Sequence, residues 1–289
     1  MISVEQWQQE GNYFSFEQRR IFYRDSGEVD KPTLLLIHGF PTSSWDYTHV
    51  WGVLAEKFRL VTLDMIGYGF SDKPKNFHYS IKRQVDIIEQ ILESLSIEQC
   101  HVLSHDYGDS VAQELLARDL ESDHKKVLSL IMLNGGVIPE SQRPVLLQKL
   151  LLGPFGFIIS RLTSYSRFKK NFDKICAVKL PEEEIRTYWE LTQLQDGVFR
   201  IPKVIQYIKE RKQNRDRWVG ALQNARCPIC FINGLEDPVS GKYMVESFKK
   251  LVEKAEVVEL ENIGHYPQVE SPELVLKSAN QFWEAHLNG

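Results

Sequence analysis

The chain has no apolar run approaching the ~20 residues needed to span a bilayer. Its opening stretch, MISVEQWQQEGNYF, also lacks the basic start and apolar centre of a secretion signal. A cytoplasmic protein without a membrane span is the expectation. Cysteine is scarce: Cys100, Cys176, Cys227 and Cys230 are the only four, and they follow no disulfide-framework spacing. CPIC at 227–230 resembles a redox Cys-x-x-C, but it opens the apolar run CPICFING, and a strand there would turn the two thiols to opposite faces. Two reduced thiols at a strand's start are expected instead. Basic charge is not in surplus, since 35 Lys plus Arg face 39 Asp plus Glu for a net −4. Such a balance offers nucleic acid no attractive field. GYGFSD (67–72) lacks the third glycine of a phosphate cradle and reads as a tight loop. His101 and His105 would share a strand face about 13 Å apart, too far to hold one metal ion. No metal and no cofactor is expected.

What is present fits a large folded core. The 289 residues are 43% hydrophobic and 26% charged, an ordinary globular makeup. Short apolar runs bounded by turn residues alternate with segments of helical period, the pattern of a mostly parallel sheet covered on both faces. Strands are expected at 19–25, 33–39, 58–64, 100–105, 127–134, 227–234 and 255–261. Helices are expected at 43–56, 80–95, 107–118, 241–252 and 272–286, with Ser80 capping the second and Pro272 opening the last. Between about 138 and 220 no strand-like run occurs, only helical stretches parted by Gly and Pro. The layout is a core (1–137), a helical cap (138–220) and the rest of the core (221–289). The basic run KERKQNRDR (209–217) reads as a solvated helix face. Whether the first ~15 residues pack on the core is left open.

The stretch LSHDYGDS (103–110) places a carboxylate where an apolar strand ends and a helix begins. A nucleophile lifted from a sheet by such a bend needs small neighbours two residues away on either side, and Ser104 and Gly108 satisfy that. A second register, GDSVA, would make Ser110 an esterase-type nucleophile, but it falls in the second turn of the helix. A carboxylate that merely caps the helix is the plain alternative for Asp106. Three further features tilt the balance. IHGFP (37–41) presents the Phe40 N–H beside that of Tyr107 as an oxyanion hole. GLEDPVS (234–240) puts Asp237 after a strand, and NIGHYPQVE (262–270) puts His265 after the next. The order nucleophile, acid, histidine is that of one hydrolase architecture, and such groups gather at the carboxyl ends of its strands.

Over essentially its whole length the chain resembles the α/β-hydrolase fold. HGFP with SHDYG is similar to the epoxide hydrolase and haloalkane dehalogenase branch, which uses an aspartate nucleophile. HGFPTSS, GFSDKP, VLSHDYGD, VAQELL, RPVLLQKLL and KQNRDRWVGAL resemble the mesoderm-specific transcript protein group. The resemblance implies Asp106 as nucleophile, His265 as base, Asp237 as its orienting acid, and Phe40 and Tyr107 as oxyanion donors. Dehalogenases usually carry Trp after the nucleophile and Asn or Glu after His-Gly, where this chain has Tyr107 and Phe40, which disfavours halide release. Epoxide hydrolases protonate the opening oxygen with cap tyrosines. Tyr207 stands about where one is expected, with Tyr165 or Tyr188 as its partner, and His38, Tyr165 and Tyr188 are assigned to substrate binding. The expected activity is a hydrolase forming a covalent ester on a small apolar epoxide, with water as co-substrate. A haloalkane dehalogenase, a serine carboxylesterase through Ser110 and a non-catalytic ligand receptor remain as alternatives, and the oligomeric state is open.

Overall fold

Strands buried along their whole length form the middle of the molecule, because alternate side chains supply two separate cores. In the run Thr33–Ile37, Leu34 and Leu36 pack with Val50, Leu54, Val275 and Phe282. Leu35 and Ile37 pack on the other face with Val85, Ile88, Val111 and Leu116. The computed structural model describes residues 2–287. Eight strands make one sheet: β1 (Asn12–Phe16), β2 (Arg19–Asp25), β3 (Thr33–Ile37), β4 (Arg59–Leu63), β5 (Cys100–His105), β6 (Val127–Leu133), β7 (Ile229–Gly234) and β8 (Glu256–Leu260). Their spatial order is β1-β2-β4-β3-β5-β6-β7-β8. β2 runs antiparallel to β1 and β4, and every other pairing is parallel. The chain reverses its direction of winding between β3 and β5, so a crevice opens at their carboxyl ends, where ligands of such sheets bind. No helix among the described residues is long and apolar enough to cross a membrane.

The seven expected strands become β2 to β8, trimmed by a residue or two at their ends. β1 is an addition, and the amino terminus is tied down. Ser3 Oγ accepts from Gln6 N at the start of a helix, Val4–Gln9. That helix buries Trp7 edge-on against Trp45 and Trp51, with ring centroids 5.9 and 5.0 Å apart. The helix expected at 43–56 is a 3-10 turn, Ser44–Tyr47, followed by an α-helix, Thr48–Ala55. Ser80 caps the helix Ile81–Ser94 as expected, and Pro272 opens the helix Pro272–Leu287. Cys227 and Cys230 are unpaired and belong to the cores on opposite faces of the sheet. Burial pushes both thiols up to about 12, which leaves them protonated and inert.

Between β6 and β7 the only regular structure is helical, and the helices from Leu146–Leu152 to Tyr207–Gln213 lie before the last one, Arg215–Gln223. That last helix packs on the core helix Tyr107–Glu121. Trp218 Nε1 donates to Glu114 at 2.7 Å, and Arg217 Nε donates to the same carboxylate at 2.8 Å. The boundary at 220 therefore falls inside a core-bound helix. Most of the basic run 209–217 is the solvated face expected of it, with Lys209, Lys212, Gln213 and Asp216 exposed; the exception is Arg211, 1% exposed and turned into the protein.

Candidate active site

Asp106 follows directly on β5 with φ +45° and ψ −101°, a left-handed conformation that a non-glycine residue adopts only when its surroundings impose it. Its amide donates to Leu133 O at 3.0 Å, and the helix Tyr107–Glu121 starts at the next residue. The small neighbours are needed. A Cβ on Gly108 would stand 2.2 Å from the Ile37 carbonyl oxygen, so this helix can lie against β3 only with glycine there. Ser104 Oγ donates to Asp109 Oδ1 at 2.6 Å beneath the bend. Ser110 lies one turn into the helix, fully buried, where its Oγ accepts from Arg211 Nε at 2.6 Å.

Four elements converge on the Asp106 carboxylate, which is 2% exposed. From the loop after β3, the Phe40 amide donates to Oδ2 at 3.2 Å. From the loop after β8, His265 Nε2 lies 3.9 Å from Oδ2. From the helix Tyr207–Gln213, Arg211 Nη2 lies 3.5 Å from Oδ1 and donates to the Asp106 backbone carbonyl at 2.9 Å. The helix that begins at Tyr107 brings the positive end of its dipole to the same bend. Burial opposes ionisation of Asp106, but His265 and then Arg211 outweigh it and hold the carboxyl well below the usual range.

Asp237, in the loop after β7, meets His265 Nδ1 at 2.7 Å through Oδ2. A carboxylate only accepts, so Nδ1 carries a proton and Nε2 faces Asp106. Three donors keep Asp237 in place and ionised: Ser240 Oγ at 2.6 Å, Asn134 Nδ2 at 3.0 Å and the Val239 amide at 2.7 Å. Burial disfavours charge on His265, yet the Asp237 charge and the contact with Asp106 raise it to about 10. The backbone of the histidine loop is held from both sides. The His265 amide donates to Ile175 O at 2.9 Å, and His105 Nε2 donates to His265 O at 2.8 Å. The Glu270 carboxylate accepts from the amides of Gly264, Tyr266, Ala177 and Val178 at 2.8–2.9 Å.

The tyrosines divide. Tyr207 stacks on Tyr107 with centroids 4.4 Å apart, and its buried hydroxyl has no hydrogen-bond partner among the described residues. Burial first, then the Asp106 charge, push its phenol well above 10, so it keeps its proton. Tyr188 is also fully buried, stacked on Phe172 at 5.5 Å, beside Glu184 rather than Asp106. Tyr165 is not brought to the site: its hydroxyl bonds Glu182 and its ring carries the Arg186 guanidinium at 4.7 Å. His38 has no ring nitrogen free for a ligand. Its Nδ1 donates to Gly39 O at 2.7 Å and its Nε2 accepts from the Met65 amide at 3.0 Å, so it braces the Phe40 loop as a neutral imidazole.

A cavity of about 270 Å³ adjoins this cluster, with His265 and Phe40 among the residues that line it. Its walls are mainly apolar, including Leu151, Ile159, Phe168, Ile175 and Ile201 from the helices between β6 and β7. Sequence reasoning missed Arg211 and Asn134. The one signal that could have found Arg211 is its place at helical spacing after Val204, Tyr207 and Ile208, all buried, and the charged residues around it obscure that stripe.

The family described as alpha/beta hydrolase fold matches residues 32–272. The mesoderm-specific transcript homolog protein of Bos taurus is 41% identical over 283 residues, covering 93% of this chain and 84% of its own. LipZ of Mycobacterium tuberculosis is 39% identical over 287 residues, covering 96% of each. Among solved structures, a haloalkane dehalogenase from Bradyrhizobium elkanii superposes with a TM-score of 0.81 at 18% identity, over 96% of this chain and 97% of its own, a likeness of fold. The eight-stranded sheet, its reversal at β3 and β5 and this sequence match agree: the chain belongs to the alpha/beta hydrolase fold family, with the mesoderm-specific transcript proteins among its relatives.

Proposed function

We propose that the protein is a hydrolase that forms a covalent ester through Asp106 and is best suited to opening an epoxide on a small apolar molecule. The observation that carries this reading is the placement of an ionised carboxylate at a strained strand-to-helix bend, with a backbone amide on one side and a carboxylate-bound imidazole on the other. A carboxylate needs no base to become a nucleophile. One Asp106 oxygen attacks an epoxide carbon, the ring C–O bond breaks, and the Tyr207 hydroxyl gives its proton to the departing oxygen. With the Asp106 charge gone, the His265 imidazolium passes its proton to the Tyr207 phenolate; water then attacks the ester carbonyl and the now neutral His265 takes its proton, while the Phe40 and Tyr107 amides hold the oxyanion. Collapse releases a diol and restores the Asp106 carboxylate, with Tyr207 and His265 both protonated as at the start.

Epoxide opening is favoured over halide release because the residue after the nucleophile is Tyr107, and because a protonated phenol waits beside Asp106 with no partner of its own. Halide departure needs no such proton. The serine route through Ser110 is disfavoured by the Arg211 donor that occupies its hydroxyl and by its position one turn past the bend.

The test is intact-mass analysis of the His265→Gln variant incubated with small epoxides, haloalkanes and esters. A stable adduct on Asp106 with an epoxide, absent in Asp106→Asn, is the expected result. Labelling of Ser110 by a serine-directed phosphonate with loss of turnover, or no adduct with any substrate, would overturn it. Tyr207→Phe separates the two carbon electrophiles, since it should abolish epoxide opening and spare any halide release.

A further inference from the structure

The two helices that roof the cavity, Leu146–Leu152 and Gly156–Arg161, are apolar on both sides. Leu147, Leu151 and Ile159 line the cavity. Leu146, Phe155, Phe157 and Ile158 are instead 49–72% exposed, and Leu162, at the cavity's edge, is 56% exposed. Six of the twelve exposed large hydrophobic side chains among the described residues fall between 146 and 162. Isolated exposed apolar residues need no explanation, but a contiguous set on one pair of helices does. A helix apolar all round is stable only when its outer face meets a second apolar phase.

Charge indicates what that phase is. Residues 141–170 contain six Lys or Arg and no Asp or Glu, within a chain whose net charge is −4. Arg143, Lys149, Arg161, Arg167 and Lys170 are exposed. The Arg161 guanidinium lies 4.1 Å over the Phe157 ring, so cation and aromatic are presented together. Apolar and aromatic side chains ringed by cations of one sign match the layered chemistry of an anionic bilayer, acyl chains below and phosphate above. The inner side of the same helices lines the cavity that His265 also lines, so an apolar chain leaving the bilayer there passes into the protein without crossing water.

We propose that residues 146–162 form a docking face for an anionic lipid bilayer, seated peripherally with Phe155, Phe157 and Ile158 among the acyl chains and Lys149 and Arg161 at the headgroups. The inference rests on exposure and charge and is independent of the chemistry at Asp106. It is tested by co-sedimentation of the full chain with phosphatidylcholine vesicles, with and without phosphatidylglycerol. Binding should require phosphatidylglycerol and weaken with salt. Phe155→Ser with Ile158→Ser, and separately Lys149→Glu with Arg161→Glu, should each reduce partitioning by about tenfold or more. All four side chains are exposed, so both variants should keep the parent's unfolding midpoint. Failure of the unmodified protein to bind phosphatidylglycerol vesicles, or undiminished binding by both variants, would overturn the proposal. So would a dimer in sedimentation velocity that the Phe155/Ile158 variant dissociates, since the face would then belong to a second copy of the chain.

Discussion

Replacing Asp106 by Asn should move the titration of His265 down by about three pH units. At about 10, the imidazole of the resting protein is a cation at neutral pH and no base at all. Burial works against that charge, so the carboxylates of Asp237 and Asp106 hold the proton on. The Asp106 oxygen lies 3.9 Å from Nε2. A unit charge at that distance contributes about 4 kcal/mol at an effective dielectric of ~20, which is about three pH units. The amide keeps the shape and removes the charge, so His265 in the variant should titrate near 7. The ester proposed above would remove the same charge, so on that proposal His265 becomes available as a base only once the ester exists. The assay is an NMR titration of imidazole Cε1–H signals, with His265→Gln supplying the assignment. A His265 signal still titrating near 10 in the variant would refute the electrostatic argument. The folded value lies above the ~6.5 of an unfolded chain. The stability that His265 contributes is therefore fully present below ~6.5 and lost as pH rises toward 10, and in Asp106→Asn most of that window should close.

Gly108→Ala should cost about 1–3 kcal/mol, because its Cβ would meet the Ile37 and His38 carbonyl oxygens at 2.2 and 2.7 Å and neither strand nor helix can yield cheaply; an unchanged thermal midpoint would refute the tight contact. Arg211→Met should destabilise by about 3–5 kcal/mol and slow any reaction of Asp106, since it removes a buried cation and leaves the Asp106 carbonyl and Ser110 without their donor; urea unfolding and turnover measure the two effects, and full retention of both would refute it. Burial first, then the Asp106 charge, hold the Asp109 carboxyl well above its usual range. An acid raised on folding contributes stability below its unfolded value that is lost as pH climbs, so Asp109→Asn should gain on the parent between pH 5 and pH 8. Equal differences in unfolding free energy at the two pH values would count against a neutral Asp109.

The parts of this architecture legible in the sequence are those where burial is total. β3, β5 and β7 are buried along their whole length, and their apolar runs need no knowledge of the partner strand. β1 escaped because NYFSF is an edge strand with only Phe16 buried, and its polar outer residues carry no period. The triplet Asp106, Asp237 and His265 was readable because each follows a strand end, and β-sheet topology alone brings those ends together. Arg211 was not, because its neighbours Lys209, Glu210, Lys212 and Arg215 are charged, and linear charge density masks a single inward-facing cation. Tyr165 and His38 went elsewhere for a related reason. A residue type suited to binding says nothing about whether a nearer backbone or side-chain partner, here Glu182 for one and Gly39 with Met65 for the other, has already claimed it.

The Glu270 clasp has a mechanical consequence. One carboxylate fastens residues 177–178, between β6 and β7, to 264–266 of the histidine loop, and the Ile175 carbonyl adds a second rivet at His265 itself. The rear of the roof and the His265 ring are therefore tied together, and swinging that half aside would carry the ring away from Asp106 and Asp237. The forward half, 146–162, has no such fastening to that loop among the described residues, so displacing it would leave the His265–Asp237 contact where it is.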